Sequence, residues 1–256
     1  MIFSWGGLKM EKEENVKEIL DAIEKRHAVR KFDDKKLEPN LILKLQEYIN
    51  RLNVEGDINM QFILDNAKGF SSFDKTYGNF EGVNNYVCMI ANKNDQNAAE
   101  KLGYYGGLFM LHAVSMGLGT CWVGGSFNKK RPYLLNDNDK FVCLMVIGNL
   151  KDGHEPTKRR TKSEEQLYES HEEVPVWFLQ GIRAVQKAPS ALNRQKIKFY
   201  YKNGEVSCST EETQAHLIGI DLGVAKLYFE LGAGGGRWQL GNDARFVHET
   251  QAVVLH

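Results

Sequence analysis

The sequence predicts an α+β protein made of two lobes related by an internal pseudo-twofold duplication, and three observations predict it. Amphipathic helical segments lead into short runs rich in apolar and β-branched residues, the mark of buried strands. A long, largely apolar segment between two of these runs supplies a candidate central helix. A short window of the first half then recurs in the second: "GLFMLHAVSMGLGTCW" above "GVAKLYFELGAGGGRW" matches Gly107 with Gly223, Leu111 with Leu227, Gly119 with Gly235 and Trp122 with Trp238 without a gap.

The chain opens on "MIFSWGGLKMEKEEN", a short apolar patch with neither the long apolar region nor the small-residue cleavage site of a secretion signal. Residues 1–15 therefore read as a leader or frayed N-terminus before a first lobe of residues 16–150. Val16, Ile19, Leu20 and Ile23 recur at helical spacing amid charge, so residues 11–25 form an amphipathic helix that delivers "KRHAVRKF" at its end. "PNLILKLQEYINRL" is a second helix, begun by a proline suited to a first turn and carrying Leu41, Leu45, Tyr48 and Leu52 on one face. "MQFILDN", "YVCMIAN" and "FVCLMVIG" are buried strands. Residues 97–125, between the last two, form the central helix, ending in a glycine cluster. Residues 151–172 are polar and basic, a linker without a core of its own, and a second lobe follows at 173–256. That lobe also places a special loop, "VQKAPSALNRQ", ahead of its copy of the repeated window.

Composition narrows the function. Thirty-three Lys and Arg offset 33 Asp and Glu in 256 residues, which removes any bulk electrostatic case for nucleic acid or an acidic membrane surface as a partner. The apolar runs fall far short of the roughly 20 residues of a membrane helix. Four cysteines lie far apart with no CxxC pair and no matching histidine cluster, so neither zinc nor a disulfide framework is expected, and a reducing, cytoplasmic location fits.

Arg26, His27 and Arg30 fall within five residues at a helix end, and two guanidiniums that close can clamp a phosphate with bidentate bonds. A solvated basic helix terminus is the alternative, as it is for the second cluster, "TKRRTK". Gly124 and Gly125 offer permissive backbone against which a flat ligand can lie, or simply end a helix. Pro189, Ser190 and Asn193 suit recognition of a polar chain or ring edge, or form a turn between helix and strand. His112 and Tyr228 read as packing residues. The Rossmann, P-loop, GxSxG and HExxH templates are all absent.

Together these segments resemble the FMN-dependent nitroreductase family, and its two-lobed single-chain subfamily in particular. The family's Arg-[Arg/His]-Ser-x-Arg-x-Phe opening is seen in residues 26–32, with Ala28 in place of the usual serine. Its Gly-Leu-Gly-x-x-Trp-[Ile/Val]-Gly stretch is seen in 117–124, its apolar strand ending in glycine in 142–148, and its Lys-x-Arg segment in 158–160. The Ala-Pro-Ser-x-x-Asn-x-Gln loop is missing from its usual place soon after the first helix and is found at 188–195 instead. The resemblance implies a nitroreductase-like fold with mixed or antiparallel sheets flanked by helices. It implies that Arg26, His27, Lys158 and Arg160 hold the FMN phosphate, with Ala28 beside them and Arg30 along the ribityl chain or pyrimidine edge. Backbone N–H groups of Gly124 and Gly125 would face flavin N5, and Pro189, Ser190 and Asn193 would close over the ring from the second lobe, which impersonates the second subunit of a dimer. The implied activity is ping-pong hydride transfer from NADPH or NADH to a small-molecule electron acceptor such as a nitroaromatic or quinone. A monomeric pseudo-dimer then suffices, with no metal and no catalytic side chain, since flavin carries the chemistry. The alternative is a non-catalytic flavin-binding or sensing protein.

Overall fold

A computed structural model of the chain describes residues 2–4, 13–67, 80–125, 133–156, 160–210 and 217–249. Two helices begin the first lobe. α1 (Glu13–Lys25) buries Ile19, Ala22 and Ile23, and α2 (Pro39–Gly56), with proline in its first turn, buries Leu45, Tyr48, Ile49 and Leu52. Asp57, in a left-handed conformation, ends α2 and turns the chain within two residues into β2 (Asn59–Ile63). β3 (Asn85–Asn92), α3 (Ala98–Ser115), β4 (Leu118–Val123) and β5 (Asp139–Asn149) complete the lobe. The four strands form an antiparallel sheet in the order β2-β3-β5-β4.

β4 corrects the expectation of one helix running to the glycine cluster at 124–125. Gly117, at φ +85°, takes the left-handed position two residues past Ser115 that stops α3 there. The next six residues pair in full with β5, and on their other side Thr120 accepts the Val29 N–H at 3.0 Å. Those two partners satisfy backbone groups that a longer helix would have satisfied internally.

The second lobe contains α4 (Glu164–Leu167), β6 (Tyr168–Ser170), α5 (Val176–Val185), β7 (Lys198–Lys202), β8 (Glu205–Ser209), α6 (Ile218–Gly232), β9 (Gly236–Gln239) and β10 (Ala244–His248). Two sequence expectations are redrawn by it. Residues 2–4, placed in a leader, form β1 (Ile2–Ser4) and pair with β9, Phe3 opposite Trp238. The linker 151–172 contains α4 and β6; a Ser163–Gln166 capping box starts α4, Leu167 is fully buried, and β6 pairs parallel with β7. The sheet is ordered β1-β9-β10-β8-β7-β6.

Six elements recur in the same order, α2-β2-β3-α3-β4-β5 and α5-β7-β8-α6-β9-β10, and their strands recur in the same spatial order, β2-β3-β5-β4 and β7-β8-β10-β9. The two connections from helix to first strand differ. α2 reaches β2 through residues 57–58, whereas α5 reaches β7 through residues 186–197.

One hydrophobic core runs through both lobes, from Ile19, Leu45 and Met89 to Phe178, Phe229 and Trp238. At its centre α3 packs on α6 so closely that a Cβ on Gly223 would overlap the Glu100 carbonyl oxygen and lie 2.6 Å from the Tyr104 nitrogen. Beside this crossing Lys226, wholly buried, bonds the Glu100 carboxylate and donates to the Gln239 and Gly241 carbonyls at 3.0 and 2.9 Å. Glu100 in turn accepts the Gly241 N–H at 2.8 Å. Alternation along β3, β4 and β5 gives the first sheet a second buried face, where Tyr86, Cys88, Cys121, Val123, Leu144 and Val146 pack under residues 29–32.

Candidate cofactor-binding site

The segment after α1 crosses that second face as an extended strap. Val29 and Phe32 are its anchors, 1% and 3% exposed in the smaller core, and backbone bonds pin it at three points: Val29 N to Thr120 O, Phe32 N to Glu81 O and Asp33 N to Asn149 O, at 2.9–3.0 Å. Beside those anchors Ala28 is half-buried against the same core, and Arg30 is exposed. Arg26 sits where α1 ends, is 7% exposed, and donates to the Lys187 carbonyl of the second lobe at 3.4 Å. His27 lies parallel to His154, with Nε2 atoms 2.5 Å apart, and its Nδ1 lies 3.0 Å from the Lys25 carbonyl. A carbonyl only accepts, so Nδ1 carries the proton, and in neutral rings His154 donates to His27 Nε2.

The loop between α5 and β7 faces this strap. Its backbone is unusual, with Leu192, Asn193 and Gln195 at φ of 53°, 54° and 47°, a region that non-glycine residues rarely adopt. A knot of hydrogen bonds holds it there. Ser190 Oγ accepts the Gln195 N–H at 2.9 Å; the buried Gln195 amide donates to the Gln186 carbonyl at 3.1 Å and accepts the Lys162 N–H at 2.8 Å. Asn193 Nδ2 donates to the Arg160 carbonyl at 2.6 Å, so the loop also fixes the backbone of the basic segment.

Strap, loop, the end of β4 and the start of α6 enclose a cavity of about 600 Å³. Arg26, His27, Ala28, Arg30, Gly124, Gly125, Arg160, Pro189, Ser190 and Asn193 all line it. Lys158, the remaining candidate, lies outside the described residues. The cavity is cationic along Arg26, Arg30 and Arg160 and apolar along Leu217, Ile220 and Val224. Trp122 also lines it, and the indole Nε1 of that residue is buried with no hydrogen-bond partner among the described residues.

A family model described as "Putative TM nitroreductase" matches residues 18–233 of this chain. The chain belongs to this nitroreductase family. The match runs through both lobes. A crystal structure of a "putative nitroreductase" from Thermotoga maritima superposes with a TM-score of 0.63 at 23% identity, over 90% of this chain and 92% of that one. A nitroreductase with bound FMN from Bacteroides fragilis (16% identity, TM-score 0.45) covers 57% of this chain and 95% of its own. An FMN-dependent nitroreductase from Clostridium difficile R20291 (17%, TM-score 0.44) covers 55% and 91%. No curated protein matches the chain.

Several residues of this nitroreductase's cavity were not singled out from the sequence. Asp221, on the first turn of α6, is 7% exposed and accepts the Ala191 N–H with both carboxylate oxygens, at 2.9 and 3.0 Å. Its signal was an acid in the apolar first turns of α6, because aspartate is rarely buried unless paired. Gln186 and Lys187, the latter paired with Glu24, follow α5 and carry no such signal. The cysteines that reach the cavity are not poised to react. Burial pushes the Cys121 thiol up to about 11, and burial, then the charge of Asp221, pushes Cys143 up as well. His112, outside the cavity, packs at a tilt against Tyr48 with ring centroids 4.1 Å apart, and burial brings its pKa down to about 4. Among the described residues no helix is long and apolar enough to cross a membrane, and no cluster of three or more His, Cys, Asp or Glu could hold a metal ion.

Proposed function

We propose that this nitroreductase is a flavin oxidoreductase that binds FMN in the cavity between its lobes. The observation that carries the proposal is the meeting of two sequence-distant halves. The basic strap of lobe one and the Pro-Ser-x-x-Asn loop of lobe two line one space, and Arg26 bonds the main chain at Lys187. The cavity suits the group on two counts. Its volume lies inside the roughly 300–1,000 Å³ of small-ligand sites, and its cationic end of Arg26, Arg30 and Arg160 suits a phosphate.

Arg26, His27, Lys158 and Arg160 would hold the phosphate. For His27 to donate, its Nε2 must gain a proton and exchange His154 for the ligand. Ala28 gives up one hydroxyl contact that a serine would make. Arg30 would serve the ribityl chain or the pyrimidine edge, the Gly124 and Gly125 amides the ring edge, and Pro189, Ser190 and Asn193 the ring face. The apolar wall of Leu217, Ile220 and Val224 would keep water from that face. When bound, FMN would supply the chemistry of hydride transfer between NADPH or NADH and an electron-poor acceptor such as a nitroaromatic or quinone, in ping-pong order. No side-chain nucleophile is needed.

The repeated six-element order supports a duplication in which lobe two stands in for a second subunit. On that reading a single chain completes its own site, and four buried free thiols suit a reducing cytoplasm. The test is Arg26→Gln, with FMN bound by fluorescence quenching. Loss of one charge-assisted contact weakens binding by about tenfold to a hundredfold. Equal FMN affinity in a folded variant would overturn the phosphate assignment.

A further inference from the structure

We infer that Asp221 is the positioning residue of the site: it holds the 188–195 loop in its binding conformation, and so sets the affinity for the ligand without donating to it. The inference rests on the FMN reading above only for the identity of the ligand.

Three observations carry it. First, the loop needs an external hold, because Leu192, Asn193 and Gln195 all occupy positive φ, which each L residue resists. Second, Asp221 is a buried carboxylate whose two oxygens converge on one N–H, that of Ala191, where the 3-10 turn Ala191–Asn193 begins. A buried carboxylate is retained only where it is paired or hydrogen-bonded, and its bond to a backbone N–H is of the stronger, charge-assisted kind. Third, the first lobe has a counterpart. Lys101, 2% exposed in the first turn of α3, pairs with Asp95 at 2.7 Å and also reaches the Asp57 carbonyl and carboxylate at 3.4 Å, in the connection from α2 to β2. In each lobe a buried charge at the head of the long helix grips the link between the preceding helix and strand. In lobe one that link is two residues; in lobe two it is the cavity loop.

Asp221 stands on α6, which packs closely against α3, so the loop is tied to the helix pair at the centre of the core. A change at Asp221 therefore alters where Pro189, Ser190 and Asn193 stand without removing any of them.

The experiment compares wild type, Asp221→Ala and Asp221→Asn in two assays: amide hydrogen exchange of residues 188–195 in the apoprotein, and FMN affinity by fluorescence quenching. Asp221→Ala is expected to speed exchange of the loop amides about tenfold or more and to raise the FMN dissociation constant by about tenfold to a hundredfold. Asp221→Asn, which keeps an acceptor oxygen and loses the charge, is expected to stay within about threefold of wild type in both. That rescue separates positioning from a charge effect on the ligand. Unchanged loop exchange in a folded Asp221→Ala protein overturns the inference, and so does an asparagine variant as impaired as the alanine one. Should Asp221→Ala fail to fold, Ala191→Pro removes the same bond from the donor side. Ser190 already has the extended backbone that precedes proline, and position 191 opens a helical turn. This variant must then show the same loosening, and wild-type exchange there refutes the assignment. If wild type itself binds no FMN, the flavin reading falls, while loop exchange still decides the role of Asp221.

Discussion

Replacing Lys226 by methionine tests whether the lobes are locked together by a buried charge pair. Lys226 has no exposed surface and Glu100 is 4% exposed; the ammonium serves Glu100 and two backbone carbonyls at once. Methionine fills much of the volume, so the loss is electrostatic: Glu100 stays buried without its counter-charge, and two carbonyls lose their donor. Breaking a buried pair from one side costs about 3–5 kcal/mol. At about 2–4 °C per kcal/mol for a chain of this size, the melting temperature falls by roughly 6–20 °C. Burial raises the Glu100 carboxyl above its ordinary value, with Lys226 opposing the rise. A carboxyl raised in the folded state favours folding below that raised value and costs stability above it. Without Lys226 the carboxyl rises further, so the penalty is larger at pH 8 than at pH 5. Adding Glu100→Gln removes the stranded charge and keeps an acceptor for the Gly241 N–H, so the double variant regains about 2 kcal/mol. Urea unfolding at both pH values measures all three quantities. A single-variant loss below about 1 kcal/mol, an equal loss at pH 5 and pH 8, or no recovery in the double variant would refute the reasoning.

Other expectations follow from packing and titration. Gly223→Ala forces a methyl into the Glu100 and Tyr104 backbone, which cannot yield as a side-chain end would; thermal unfolding should show a loss of about 3 kcal/mol or more, or no folded protein. His112 titrates at about 4 when folded and 6.5 as a free side chain. Between those values the unfolded state binds more protons, so stability falls as pH drops from about 6.5 toward 4, by at most ~3 kcal/mol. His112→Leu flattens that part of the stability profile measured by urea unfolding. All four cysteines are buried, and burial raises Cys121 to about 11 and Cys208 to about 12, so a disulfide reagent at pH 8 should label none in the native protein and all four in denaturant.

Much of the first lobe was legible because its signals are local. The proline at position 39 opens α2, and the apolar runs at 60–66, 86–92 and 141–148 fall on β2, β3 and β5. β4 was hidden because Leu118 to Val123 continues the apolar character of α3, and only the backbone angle at Gly117 separates the two. Leu167 was hidden for the opposite reason, as one buried side chain inside a polar, basic stretch. β1 depends on an edge 235 residues away, with Phe3 opposite Trp238, which no local pattern encodes. At the site, the strap and the Pro-Ser-x-x-Asn loop were visible as residue types at fixed spacing. Their convergence was an expectation from family resemblance alone, since it depends on α3 crossing α6. Gln195 was visible as the last residue of the Ala-Pro-Ser-x-x-Asn-x-Gln motif, whereas Asp221 acts through a backbone group of another segment, and such a bond leaves no spacing to read.

The central claim is that the two lobes of one nitroreductase chain complete a single flavin site. Its most direct test is the visible absorption spectrum of the purified protein after incubation with FMN and desalting, followed anaerobically by NADPH and then NADH. One FMN per chain should be retained and be bleached by at least one nucleotide. Retained flavin that stays oxidised with both would favour a binding or sensing protein, and no retained flavin would contradict the claim that the second lobe completes the site.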